Sequence, residues 1–153
     1  MYAIDKHQIQ TDLIAPLCQM LHSLAAPALT PFLSDWPRVG FERAIIPASL
    51  PVLRWLPEAA RDAPRFSAAV VDALCRATPS LAWRQTYTER EVEADFLQNY
   101  GWTELIGERG PLACERLACG FLVLGPDTLY PRHRHEAEEI YLPLVGTRAV
   151  LVA

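Results

Sequence analysis

Lysine is almost missing from this chain. Of the 14 Lys and Arg side chains in 153 residues, Lys6 is the single lysine, and the arginines are scattered. With 18 Asp and Glu the formal net charge is −4, and no basic cluster rises above the background. A surface that holds a phosphate backbone needs such a cluster, so a nucleic-acid partner is excluded. Long apolar runs are absent as well. No stretch approaches the roughly 20 consecutive apolar residues that span a bilayer, so no membrane partner is expected. The N-terminus has Asp5 and Lys6 leading into an amphipathic pattern, not a basic segment followed by an apolar one, and no signal peptide is read there. The four cysteines, Cys18, Cys75, Cys114 and Cys119, have no C-x-x-C spacing. They read as small buried apolar residues with reduced thiols, in a cytoplasmic protein.

What is present is ordinary for one globular domain: 51% apolar and 21% charged residues. Thirteen prolines mean short elements and frequent connections. Residues 5–26 predict a helix capped by Asp5, with Ile9, Leu13, Ile14, Leu17, Met20, Leu21 and Leu24 at helical spacing and Pro16 kinking it. Residues 27–51 hold five prolines and read as a connection with extended pieces, pinned by Phe32, Trp36 and Phe41. Two helices follow. The first is capped by Ser49 and ends near Asp62; the second starts at Pro64, buries Phe66, Ala69, Val70, Ala73, Leu74 and Ala77, and stops at Pro79. Residues 81–87 alternate as a strand. Thr88 and Glu91 form a capping box for a helix to Gln98. Strands are then predicted at 102–106, 115–124, 128–135, 138–145 and 147–153. The expected class is α+β: a helical region, 1–80, packed on a strand-rich region, 81–153, within one structural domain.

The chemistry concentrates near the end. His133-x-His135 is followed by three residues, Glu139, six residues and Gly146. Side chains alternate faces along a strand, so the two histidines project to one side with Cβ atoms about 6–7 Å apart. Two imidazoles and a carboxylate with open positions left over are a ligand set for a divalent first-row metal: Fe(II), Mn(II), Zn(II) or Ni(II). The bland alternative is a surface histidine pair in the charged turn R-H-R-H-E-A-E-E. Strand alternation also puts Tyr141 on the face of Glu139. Tyr130 precedes His133 by three residues, out of register unless Pro131 distorts the strand.

The spacing HxH(x)3E(x)6G resembles the first motif of the cupin barrels. Together with Tyr130, Tyr141 and the segments Leu81–Tyr87, Asn99–Gly107 and Leu117–Gly125, the chain is similar over residues 50–153 to the cupin-type dimethylsulfoniopropionate lyases. That resemblance implies a helical cap on a cupin barrel (a double-stranded β-helix) and cleavage of the substrate to acrylate and dimethyl sulfide by β-elimination. It implies metal ligands His133, His135 and Glu139. It makes Tyr141 the general base, and Tyr130 a substrate-positioning residue and fallback base. Trp83, Tyr87 and Trp102 are the aromatic candidates for holding the sulfonium cation. The family pattern needs a second His-bearing motif on a later strand. Here the sequence stops at Ala153, so the barrel is expected to be incomplete: a fragment, or one completed by another chain. The expected partners are a small-molecule substrate and, as an open alternative, a second copy in a homodimer. A cupin with this ligand set is also compatible with a dioxygenase, an isomerase, or a non-catalytic binding module or inactive fragment.

Overall fold

A computed structural model of the chain describes residues 6–38, 41–131, 136–146 and 149–152. The first helix is continuous but not uniform: α1 (Lys6–Ile9), a π-helical turn (Gln10–Ile14) and α2 (Ala15–Ser23). Backbone angles stay helical at both joints, φ −62° and ψ −44° at Ile9, and −68° and −42° at Ile14. Pro16 is the cause. Its ring would meet a carbonyl of the preceding turn and it has no amide to donate, and widening that turn moves the carbonyl aside. The expected kink is thus a π turn. Ile9, Leu13, Ile14, Leu17, Met20 and Leu21 form its buried stripe. The proposed Asp5 cap lies outside the described residues.

The proline-rich connection is more helical than expected. Pro27–Leu29 make a 3-10 turn that continues into α3 (Thr30–Ser34). Pro27 and Pro31 both fall in the opening turn, where a missing amide goes unnoticed. Phe32 and Trp36 do pin the segment, packing half-buried on the core. It then supplies β1 (Phe41–Glu42). Ser49 caps nothing: Leu50 stands at the N-cap without a side-chain bond, Pro51–Trp55 form a 3-10 turn, and α4 (Leu56–Asp62) follows. The next helix, α5 (Ala68–Ala77), starts later than Pro64. Residues 64–67 form a turn, which leaves Phe66 47% exposed instead of buried. At the N-cap, Ser67 directs its hydroxyl away from the helix and donates to the Leu144 carbonyl at 2.6 Å.

The strand expected at 81–87 is reduced to isolated bridges, Ala48 with Ala82 and Arg84 with Trp102. The Thr88/Glu91 pair forms, but only as a turn. The Thr88 amide and hydroxyl both donate to Glu91 Oε2, at 2.8 and 3.1 Å. Glu93 is then extended, and α6 (Ala94–Gln98) begins afresh.

The remaining elements are β2 (Tyr100–Gly107), β3 (Leu112–Ala113), β4 (Cys119–Leu124), β5 (Tyr141–Val145) and β6 (Ala149–Val152). They form one six-stranded sheet in the order β1-β3-β2-β4-β6-β5. All pairs are antiparallel except β2 with β3. The outer strands do not meet, so among the described residues the barrel is open. β4 is buried along its whole length, as its unbroken apolar run implies, although it starts at Cys119 and not at Glu115. Thr128–Pro131 are not in a strand, and residues 132–135 lie outside the described set. The helical and strand regions interlock, because β1 comes from the N-terminal part and seals one end of the sheet.

The two faces of the sheet differ. Leu105, Cys119, Phe121, Val123 and Leu144 belong to the large core shared with α2, α4 and α5. Tyr100, Leu122 and Leu124 form a second cluster on the opposite face, with Tyr87, Phe96, Trp102 and Tyr130 packed against it. That second face carries the site.

Candidate active site

Register builds the site. Tyr100, Trp102 and Glu104 alternate along β2 and stand opposite Leu124, Leu122 and Gly120 of β4. Gly120 pairs in turn with Val152, and Val152 with Tyr141. Tyr141 therefore faces the same side as Gly120 and Glu104, across two strands. A cleft of about 440 Å³ opens there, lined among others by Tyr100, Trp102, Leu122, Tyr130, Glu139 and Tyr141.

Its polar groups are linked. The Tyr141 hydroxyl donates to Glu139 Oε2 at 3.1 Å. Burial first, and then the Glu139 carboxylate, push the Tyr141 phenol up from 10 to about 12. Tyr130 stands beside Tyr141 and Tyr100, close enough for their hydroxyls to act on its own. Burial, reinforced by Tyr100 and Tyr141, also holds the Tyr130 phenol above its usual range. With these groups alone both phenols keep their protons at neutral pH. A base role at Tyr141 needs positive charge nearby to reverse the balance. The Cys119 thiol is no competitor. It is fully buried, which pushes it up to about 12, and it belongs to the helix-side core.

The aromatic candidates separate. Trp102 lines the cleft, with its indole Nε1 donating to Thr86 Oγ1 at 3.0 Å. Tyr87 packs edge-on against Phe96, with centroids 5.9 Å apart, and against Tyr100 at 5.7 Å; it backs the cleft instead of lining it. Its phenol is raised by burial, then by Tyr100 and Glu91. Trp83 is 2% exposed and packs in the helix-side core, away from the residues that line the cleft. His133 and His135 lie outside the described residues. Among the described residues no three His, Cys, Asp or Glu come together as a metal site.

Sequence reading missed Tyr100, Glu104 and Arg109, although the alternation Tyr100-x-Trp102-x-Glu104 is a one-face pattern. Glu104 accepts the amides of Arg109 and Gly110 through Oε1, at 2.5 and 2.9 Å. Arg43 holds the same loop from outside, donating to the Gly107 and Gly110 carbonyls at 3.3 and 2.9 Å. The braced loop presents Arg109 to the cleft. Arg116, also at the cleft, pairs with Asp35 at 2.9 Å.

A helical layer on one face of a mixed sheet, with a tyrosine–carboxylate cleft on the other, defines an α+β protein of the cupin type whose described strands form an open barrel. Comparison with known proteins narrows this. The sequence profile described as dimethylsulfoniopropionate lyase matches residues 38–150. The dimethylsulfoniopropionate lyase DddQ of Ruegeria pomeroyi is 39% identical over 85 residues, 56% of this chain and 42% of that protein. The matched region is thus less than half the length of this relative. A chain from the crystal structures of the DMSP lyases RdDddP and RnDddQII superposes with a TM-score of 0.77 at 26% identity, covering 97% of this chain and 91% of that one. The crystal structure of DddQ from Ruegeria pomeroyi DSS-3 gives 0.72 at 25%, covering 90% and 89%. This chain belongs to the dimethylsulfoniopropionate lyase family.

Proposed function

We propose that the cleft is the catalytic site of a carbon–sulfur lyase that splits dimethylsulfoniopropionate into acrylate and dimethyl sulfide by β-elimination. The observation that carries the reading is the linked set Tyr130, Tyr141 and Glu139 on the cleft wall, with the Tyr141 hydroxyl 3.1 Å from the carboxylate. The donor set suits a divalent cation, since Glu139 offers an oxygen ligand at the cleft and two histidines precede it at ligand spacing. His133, His135 and Glu139 would hold the ion (Fe, Mn, Zn or Ni), which supplies Lewis acidity toward a carboxylate and favours the phenolate of a nearby tyrosine.

The chain's own groups divide the remaining work. Tyr141, as phenolate, takes the proton from the carbon next to the substrate carboxylate. The electron pair of that C–H bond becomes the new C=C bond. The C–S bond breaks, its pair leaves with sulfur as neutral dimethyl sulfide, and the proton stays on the Tyr141 oxygen until solvent removes it. No general acid is needed, because the sulfonium leaves uncharged. Tyr130, beside Tyr141, orients the base and the substrate. The Trp102 ring offers a π-face to the sulfonium cation, and Leu122 keeps water from the reacting carbons. A cytoplasmic setting belongs to the same reading, supported by four unpaired thiols at Cys18, Cys75, Cys114 and Cys119.

The test is dimethyl sulfide in the headspace after incubation with substrate and each of the four metals. Release that falls by 10²-fold or more in Tyr141→Phe, about the contribution of a positioned base, supports the reading. No release with any metal ends the substrate assignment, and oxygen uptake with Fe(II) in its place would mark a dioxygenase.

A further inference from the structure

Tyr100 is 1% exposed, yet its ring lines the cleft. It is held from behind. Phe96 stacks on it with centroids 4.9 Å apart, Tyr87 tilts against it at 5.7 Å, and Gln85 Nε2 donates to its carbonyl at 2.9 Å. Its front meets Tyr130, centroid to centroid 5.7 Å and tilted by 33°, which brings the two phenols side by side. Tyr130 arrives on a segment without strand structure and so has no ladder to orient it. Tyr100 has one, paired with Leu124 on a central strand.

We propose that Tyr100 is a positioning residue: a rigid, strand-borne phenol that fixes the Tyr130 hydroxyl and, through it, the Tyr141 hydroxyl over the substrate. The chain Tyr100–Tyr130–Tyr141–Glu139 then runs from the sheet to the acid of the ligand motif. Within that chain the Tyr130 and Tyr141 hydroxyls each stand between two polar neighbours. Rigid support of this kind counts, because a misplacement of about 1 Å can lower a rate by 10². In this arrangement the Tyr100 hydroxyl acts through Tyr130. The catalytic half of the proposal rests on the lyase reading above. The structural half rests on geometry alone.

The test is Tyr100→Phe in the full chain, which keeps the ring and its packing and removes only the hydroxyl. With 3-fluorotyrosine incorporated, the Tyr130 fluorine resonance, assigned by its loss in Tyr130→Phe, should shift by about 1 ppm or broaden, while that of Tyr87 stays in place. This readout needs neither substrate nor metal. In the metal-loaded protein kcat should fall about tenfold with KM unchanged, less than the 10²–10⁴ expected when a proton-transfer group is lost. In a Tyr130→Phe background the same change should have no further effect. An unmoved Tyr130 resonance overturns the proposal. So does a shifted resonance with unchanged kcat, or an effect that simply adds to that of Tyr130→Phe. If the wild type itself releases no dimethyl sulfide, the lyase reading fails, and the fluorine resonance alone decides whether Tyr100 holds Tyr130.

Discussion

Gly120→Ala is the substitution whose cost follows most directly from the geometry. Gly120 stands opposite Glu104 in the β2–β4 ladder, just before the irregularity between Glu104 and Ile106. A methyl group there would lie 2.0 Å from the Thr103 carbonyl oxygen and 3.0 Å from the Glu104 Cα, whereas ordinary contact begins at 3.4 Å. Both obstacles are backbone, so no rotamer change relieves them. Opening the strands by more than 1 Å stretches the neighbouring ladder bonds from about 2.9 Å past the limit of useful hydrogen bonding. Losing two or three such bonds at about 1 kcal/mol each, plus about 1–3 kcal/mol of overpacking, gives about 3–6 kcal/mol. Against a typical total of 5–15 kcal/mol this is severe. For a chain of this size, at about 2–4 °C per kcal/mol, it lowers Tm by about 6–24 °C. Urea unfolding followed by far-UV circular dichroism measures it. A variant within 1 kcal/mol of the wild type would mean that β2 and β4 do not approach this closely, and the register that aligns Tyr100, Trp102 and Glu104 with Tyr141 would fall with it.

Other perturbations test separate parts of the structure. Asn99→Ala removes the acceptor for Arg54 Nη2 and Trp55 Nε1, at 2.9 and 3.0 Å, and the donor to the Asp95 carbonyl. Leaving the half-buried indole unpaired should cost about 2 kcal/mol by chemical denaturation, and a neutral result would mean water replaces all three bonds. Ala25 holds φ at 49° just past α2, so Ala25→Gly should stabilise by about 1 kcal/mol and raise Tm; a lower Tm would place the residue in another conformation. In metal-free protein the Tyr141 phenol should ionise near pH 12, not 10, read as the absorbance at 295 nm missing in Tyr141→Phe. Because the folded value is the raised one, the stability it contributes is complete below pH 10 and is lost as pH climbs toward 12. A Tyr141 that titrates at 10 in the folded chain refutes both its burial and its coupling to Glu139.

Much of this organisation was legible in the residues, for identifiable reasons. The expectation that Tyr141 meets Glu139 assumed a strand over 138–145; β5 begins only at Tyr141, so the alternation does not reach Glu139, yet the two side chains do meet at 3.1 Å. The unbroken run in β4 implied burial on both faces, which the strand has. Choosing among the tryptophans was another matter. Trp83 and Trp102 sit in similar apolar contexts, but one points to the helices and the other to the cleft. That choice is made by the bridges from Ala48 to Ala82 and from Arg84 to Trp102, between segments distant in sequence. Tyr100 was hidden in the same way, since β2 is largely buried on both faces and its alternation shows little contrast. Glu91 reaches back to the Thr88 amide as the capping box requires, but the Thr88 hydroxyl donates to the Glu91 carboxylate instead of accepting from its amide, and no helix grows from the pair, because the extended Glu93 ends the turn. Local hydrogen bonds close a turn; propagation needs a packed face.

The hydroxyl bond from Ser67 to Leu144 has a consequence for synthesis. The helical half leaves the ribosome first, with the apolar stripes of α2, α4 and α5 formed but uncovered. The carbonyl that ties down the start of α5 belongs to a residue translated 77 positions later. Arg43 waits similarly for carbonyls 64 and 67 positions ahead. Nascent chains should therefore stay sticky and dependent on holding factors until the β5 codons have been read, and then lock in a single late step.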